Sequence, residues 1–203
     1  MREWVVLMVV AGWPVGARAQ VLAAKAPPTV SWGGRAGLTY ANTDFNAGSP
    51  PPPTPLATTW RPGFTAGFWV SIALPHRWLL RQEYSFEQLS GELVGGPRYT
   101  LRYLSLPLLL GYYVHPRVQL LAGPRFDLLV QAQQQLNGQT TDITHDTEER
   151  GLAATAGLEV ALSRHLDLGA RYMQGLNHIG IGQRSAVREF KFEAVQLTTS
   201  VRF

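Results

Sequence analysis

Hydrophobic and polar residues alternate one by one along most of this chain. From position 194 to 203, Val195, Leu197, Thr199, Val201 and Phe203 share one parity; Gln196, Thr198, Ser200 and Arg202 share the other. A period of two is the signature of a strand with one oily and one polar face. The same alternation predicts strands over 30–41, 63–74, 78–89, 99–114, 118–131, 151–162 and 166–173. Within 118–131 it sets Gln119, Gly123, Arg125, Asp127 and Gln131 on the polar side. Pro107 falls inside the fourth of these strands, where its missing N–H predicts a bulge or weak pairing.

The connections alternate in length. Short turns are expected at 75–77, 115–116 and 163–165, and longer polar loops at 42–62, 91–98, 133–150 and 177–189. The first loop carries four consecutive prolines, Pro50 to Pro53, which favour an extended exposed segment. Eight strands with short turns at one end and longer loops at the other predict an all-β fold, an eight-stranded antiparallel up-and-down transmembrane β-barrel. A soluble barrel of the lipocalin kind would put its oily parity inside and a charged parity in water. Here the second parity is mostly Gly, Ala, Ser and Thr, which fills a narrow interior well and coats a surface badly.

Composition favours the same choice. Only 16% of the 203 residues are charged, against about 25% in ordinary soluble domains. The net charge of +4 is too mild to imply nucleic acid as a partner. With no cysteine, disulfides, thiolate metal sites and a lipid-modified cysteine are excluded. Arg2, an apolar run from Val5 to Gly12, and Ala17-Arg18-Ala19 predict an export signal over 1–19, cleaved after Ala19. A linker over 20–28 and a barrel domain over 29–203 follow. Outer-membrane lipid is then the main partner, with secretion or envelope proteins as further candidates.

The inward charges balance. Arg35, Arg81, Arg125, Arg171 and Arg202 face Glu83, Glu87, Asp127, Glu159 and Asp167. Arg35, Glu83, Glu159 and Arg171 fall at similar heights, which predicts an ionic layer inside the barrel, with Glu159 opposite Arg171. Trp32, Trp78, Tyr112 and Phe203 mark one membrane interface, and Tyr40, Phe64 and Phe86 the other. Eight-stranded interiors are filled by side chains, so no open pore is expected.

Candidate chemistry is sparse. His145-Asp146, His178 and Ser185 are the loop residues that could supply a base and a nucleophile, and no triad spacing joins them. Asp142, Asp146 and Glu148 could offer carboxylates to a cation, but the turning glycine of a calcium loop is missing. No enzyme activity, cofactor or metal is therefore expected. The three short turns carry His76 and Arg77, His115 and Arg117, and Arg164 and His165, which could meet phospholipid headgroups.

Two resemblances add to this reading. A closing strand with Val195, Leu197, Thr199, Val201 and a final Phe203 resembles the signal by which the barrel-assembly machinery recognises Gram-negative outer-membrane barrels. The segment Tyr103-Leu104-Ser105-Leu106-Pro107-Leu108-Leu109-Leu110-Gly111-Tyr112-Tyr113 resembles a segment of PorT-like outer-membrane barrel proteins of Bacteroidota. Leu121-Ala122-Gly123-Pro124, Ala170-Arg171-Tyr172 with Gly175-Leu176, and Arg202-Phe203 are similar to that family's later strands. The resemblance implies an eight-stranded barrel in the outer membrane, with a non-enzymatic scaffold or interaction role and, for some relatives, a place in protein secretion.

Overall fold

The computed structural model describes residues 29–45, 57–147, 149–177, 179–181 and 188–203. The expected export signal and linker, Pro50 to Pro53, Glu148, His178 and Ser185 lie outside them. Eight long strands form the wall: β1 (Val30–Phe45), β2 (Thr58–Ala73), β3 (Trp78–Leu93), β4 (Arg98–His115), β5 (Val118–Leu136), β7 (Arg150–Ala161), β8 (Leu166–Gly175) and β10 (Arg188–Arg202). Two short strands, β6 (Gln139–Asp142) and β9 (Ile179–Ile181), decorate β5 and β10 at the loop end. Each wall strand pairs antiparallel with its sequence neighbour, and β1 pairs with β10 from Gly33↔Arg202 to Phe45↔Phe190. This seam closes the sheet, and closure removes the unpaired edge that lipid would not tolerate.

The alternation has the expected sense. Trp32, Leu38, Phe68, Leu110, Leu120, Leu168 and Leu197 stand exposed on the outside, while Arg35, Trp69, Arg81, Glu83 and Gln196 are buried inside. Aromatic pairs sit on the outer face at both ends. Trp32 lies 4.7 Å from Phe203 and Trp78 4.9 Å from Tyr112 at the turn end; Tyr40 stacks on Trp60 at 5.5 Å and Phe64 meets Phe86 at 6.0 Å nearer the loops.

The strands run further towards the loops than the alternation predicts. β1 and β2 reach into the expected loop 42–62, and a register shift between Trp60 and Thr65 absorbs Pro62. The expected loop 91–98 shrinks to a turn at 94–97, with Gly95 at φ 73°. The expected loop 133–150 holds the end of β5, a tight Asn137-Gly138 turn with positive φ at both residues, β6, and a 3-10 turn over Thr144–Asp146. Above the apolar band, outward positions become polar, as at Gln88, Glu92, Thr100 and Arg102. The ladder of backbone hydrogen bonds continues there, because it needs no apolar face.

Two local expectations are corrected, at Gln131 and at Glu159 with Arg171, and the one at Pro107 is resolved. Gln131 is not on the inner face. Arg102 pairs with Gln131 while Tyr103 pairs with Leu129, so Val130 is an extra residue in β5. The bulge flips the parity beyond it, Ala132 becomes fully buried, and Gln131 bonds Arg102 on the other side. Of the bulge or weak pairing expected at Pro107, the structure has the weak pairing: the β3–β4 ladder skips Glu83 and Tyr84 and resumes in the same register. Finally, Glu159 pairs with Gly169 and Arg171 with Gly157, so Glu159 and Arg171 are diagonal neighbours rather than opposite one another.

Candidate functional site

Only one parity of each strand points inward, so the interior of a closed eight-stranded sheet is a column of side chains from every strand. At mid-height this column is ionic. Arg171 of β8 donates two bonds to Glu83 of β3, at 2.7 and 2.8 Å, and a third to Glu159 of β7 at 2.6 Å. Arg35 of β1 also bonds Glu83. Thus the diagonal offset of Glu159 and Arg171 is spanned by the length of the arginine, and the four residues expected at one height lie in one network.

That network has a fifth charged member. Arg81 donates to Glu159 at 2.6 Å and to Ser71 at 2.8 Å, and its guanidinium lies 4.4 Å from the Trp69 ring centre. Its signal in the sequence is its position two residues before Glu83, on the same face of the same strand. Gln119 donates to Glu159 at 2.6 Å, and Gln196 links Arg35 to Thr39. All five charged residues are 5% exposed or less, so their attraction acts in a medium far less screening than water.

A second cluster stands nearer the loops. Arg125 bonds Asp127 and Glu87, each at 2.7 Å, and donates to Ser105 at 2.9 Å. With all groups ionised, the central cluster holds three arginines against two glutamates. The upper one holds one arginine against two carboxylates. Each offsets the other's excess, so the column is neutral as a whole. At the turn end Arg202 bonds Asp167 at 2.8 Å.

Glycines seat the large side chains. Gly157, opposite Arg171, leaves no room for a methyl group, which would stand 2.5 Å from the arginine Cγ. Gly33, opposite Trp69, likewise underlies its ring. Above the charges, Leu89, Leu101, Tyr103, Ala132, Ile143, Met173, Phe192 and their neighbours form an apolar plug. The cavity between plug and Arg125 measures about 20 Å³, room for one water.

Of the candidates for a base and a nucleophile, only His145 and Asp146 lie among the described residues. His145 and Asp146 sit in the 3-10 turn over Thr144–Asp146 on the outer loops. Among the described residues no three His, Cys, Asp or Glu side chains could hold a metal ion together. Asp142 instead caps its own loop: its carboxylate accepts the Thr144 N–H at 2.9 Å, and hydrogen bonds from Thr144 and Gln131 hold its pKa below the ordinary value. Val195, Leu197, Thr199, Val201 and Phe203 all stand on the outer face of β10 or just beyond it. None of them touches the ionic column.

Known proteins share this architecture. Residues 19–180 match the family described as outer membrane protein beta-barrel domain. No curated protein matches the chain. Among solved structures, Neisserial surface protein A is similar with a TM-score of 0.55 and 15% identity, covering 86% of this chain and 99% of that one. Ail, the attachment invasion locus protein of Yersinia pestis, has a TM-score of 0.50 and 14% identity, covering 85% and 98%. At these identities the likeness is one of fold.

Proposed function

The chain belongs to the outer membrane protein beta-barrel domain family, and from that premise we propose that it is a non-enzymatic interaction or scaffold protein of the outer membrane, working through its loop end. The observation that carries this is the contrast between a filled interior and two projecting hairpins. A column of ion pairs under an apolar plug offers no passage. The β3–β4 and β5–β6 hairpins continue beyond the apolar band, and each has an exposed aliphatic residue at its tip, Val94 at 66% and Leu136 at 45%. Beside Leu136 stand Gln133, Gln134, Gln135, Asn137, Gln139 and Thr140, whose amide and hydroxyl groups could hydrogen-bond a partner around that apolar residue.

A crosslinking pull-down from intact cells tests this. Wild type is expected to capture a surface partner that V94D/L136D does not, with both proteins folded in the outer membrane. Equal capture by both would refute the reading.

A PorT-like secretion subunit is the second reading, carried by the 103–113 segment. The barrel itself accounts for much of that segment, since Leu104, Leu108 and Leu110 are exposed on the membrane face while Tyr103, Ser105 and Leu109 are buried inside. Co-purification with periplasmic or inner-membrane secretion components would favour it over the first.

Export by residues 1–19, with cleavage after Ala19, belongs to the same proposal and is checked by the mass of the mature protein. Recognition of Val195, Leu197, Thr199, Val201 and Phe203 by the barrel-assembly machinery does too. Phe203→Ala is expected to lower the folded fraction in outer membranes while leaving spontaneous refolding into vesicles nearly unchanged. An unaltered folded fraction in cells would remove that role.

A further inference from the structure

We propose that the turn end of the β3–β4–β5–β7 wall is a binding site for an anionic glycerophospholipid of the periplasmic leaflet. One acyl chain lies in a hollow of the wall, and the phosphate meets Arg77 and Arg117. This rests on the membership in an outer-membrane barrel family and not on the role of the loops.

The hollow is built by a change in side-chain size. Ala122 and Ala156 pair across β5 and β7 and form its floor. Leu110 and Leu120 rise beside them, and the Trp78–Tyr112 pair closes the turn end. Its volume is about 850 Å³ and its lining is almost wholly apolar. Tryptophan and tyrosine settle at headgroup level, which fixes the depth of the hollow's mouth.

The charge at that mouth is one-sided. Arg77 immediately precedes Trp78, and its carbonyl accepts the Tyr113 N–H at 3.0 Å. Arg117 lies three residues before Leu120, and its carbonyl accepts the Ala161 N–H at 2.8 Å. Both guanidinium-bearing residues are exposed, as are His76, His115, Arg164 and His165. The three turns contain no Asp or Glu. Asp167, the carboxylate just beyond them, is buried and already bonded to Arg202. Among the described residues, Arg77, Arg117 and Arg164 form no ion pair. The loop end differs: there acids and bases mix, as in the Arg61–Glu92 pair at 2.6 Å.

Short turns face the periplasm in barrels of this class, so these arginines stand where phospholipid phosphates lie. Guanidinium groups bind phosphate oxygens in pairs. A zwitterionic headgroup would leave part of this charge unanswered.

The test is native mass spectrometry of the full barrel, refolded with equal amounts of phosphatidylglycerol and phosphatidylethanolamine. Wild type is expected to retain phosphatidylglycerol preferentially, by about fivefold for each engaged arginine. R77Q/R117Q is expected to lose the preference while keeping the folded gel mobility. A156L, which fills the hollow, is expected to retain less of both lipids. Equal retention of the two lipids by wild type would overturn the proposal. So would an unchanged preference in R77Q/R117Q, or lipid-free dimers lost in A156L, which would assign the hollow to a second copy.

Discussion

The middle and the loop end of the barrel's interior are filled by opposite means. In the middle, Glu83 alone is bonded by Arg35 and Arg171 and approached by Arg81 at 3.8 Å, so two strands besides its own converge on one carboxylate. At the loop end, Leu89, Leu101, Tyr103, Met173 and Phe192 pack together as one apolar cluster. The ionic layer depends on pairing, and each charge is there at the cost of leaving water. The plug depends on volume, and its members share the loss when one is trimmed. The charged middle should therefore be brittle, and the plug forgiving.

The sharpest way to break that contrast is Glu83→Gln. It leaves two arginines short of counter-charge in a lipid-surrounded core, and a loss of about 3–5 kcal/mol is expected. Urea titration of folding into vesicles measures it. R35Q/E83Q should recover part of the loss, because one orphaned cation leaves with the anion; no recovery would mean that the layer does not act through pairing. Next comes Leu101→Ala in the plug, with an expected loss of about 2–3 kcal/mol, since neighbours at the wet end can close over the gap. A loss matching that of Glu83→Gln would erase the distinction.

Gly157→Ala sharpens the same comparison by adding rather than removing atoms. The new methyl would press on the stem of Arg171, at a cost of about 1–3 kcal/mol. The smallest effect belongs to Asp142, outside both regions. Its folded pKa is depressed, so its contribution is present above the unfolded value of about 3.9 and is lost only as pH falls through the lower, folded value. The protection factor of the Thr144 amide, its exchange rate relative to the intrinsic rate at each pH, should not change between pH 7 and pH 5, and should fall in D142N at either pH.

The contrast also separates what was legible in the sequence from what was not. Arg35, Glu83, Glu159 and Arg171 could be placed because charges stand out against Gly, Ala, Ser and Thr on the inner parity. Arg81 shares that parity, but which partner it takes depends on the register between β3 and β7, which do not neighbour each other. The plug was hidden for two reasons. Its residues lie where outward positions have turned polar, so the oily alternation that marks a strand in lipid has ended. The bulge at Val130 then exchanges Gln131 and Ala132 between faces, and a single inserted residue leaves no compositional trace.

The seam between β1 and β10 sets the order of events in time. Gly33 and Arg202 are partners separated by 169 positions (202 minus 33), and no earlier pairing can substitute for theirs. Until β10 arrives, β1 is an open edge, and the inner faces of seven strands have no cylinder to point into. Contacts so distant along the chain are slow to form and leave hydrophobic segments exposed meanwhile. The barrel is therefore unfinished until β10 meets β1, and the meeting of those two strands decides when that exposure ends.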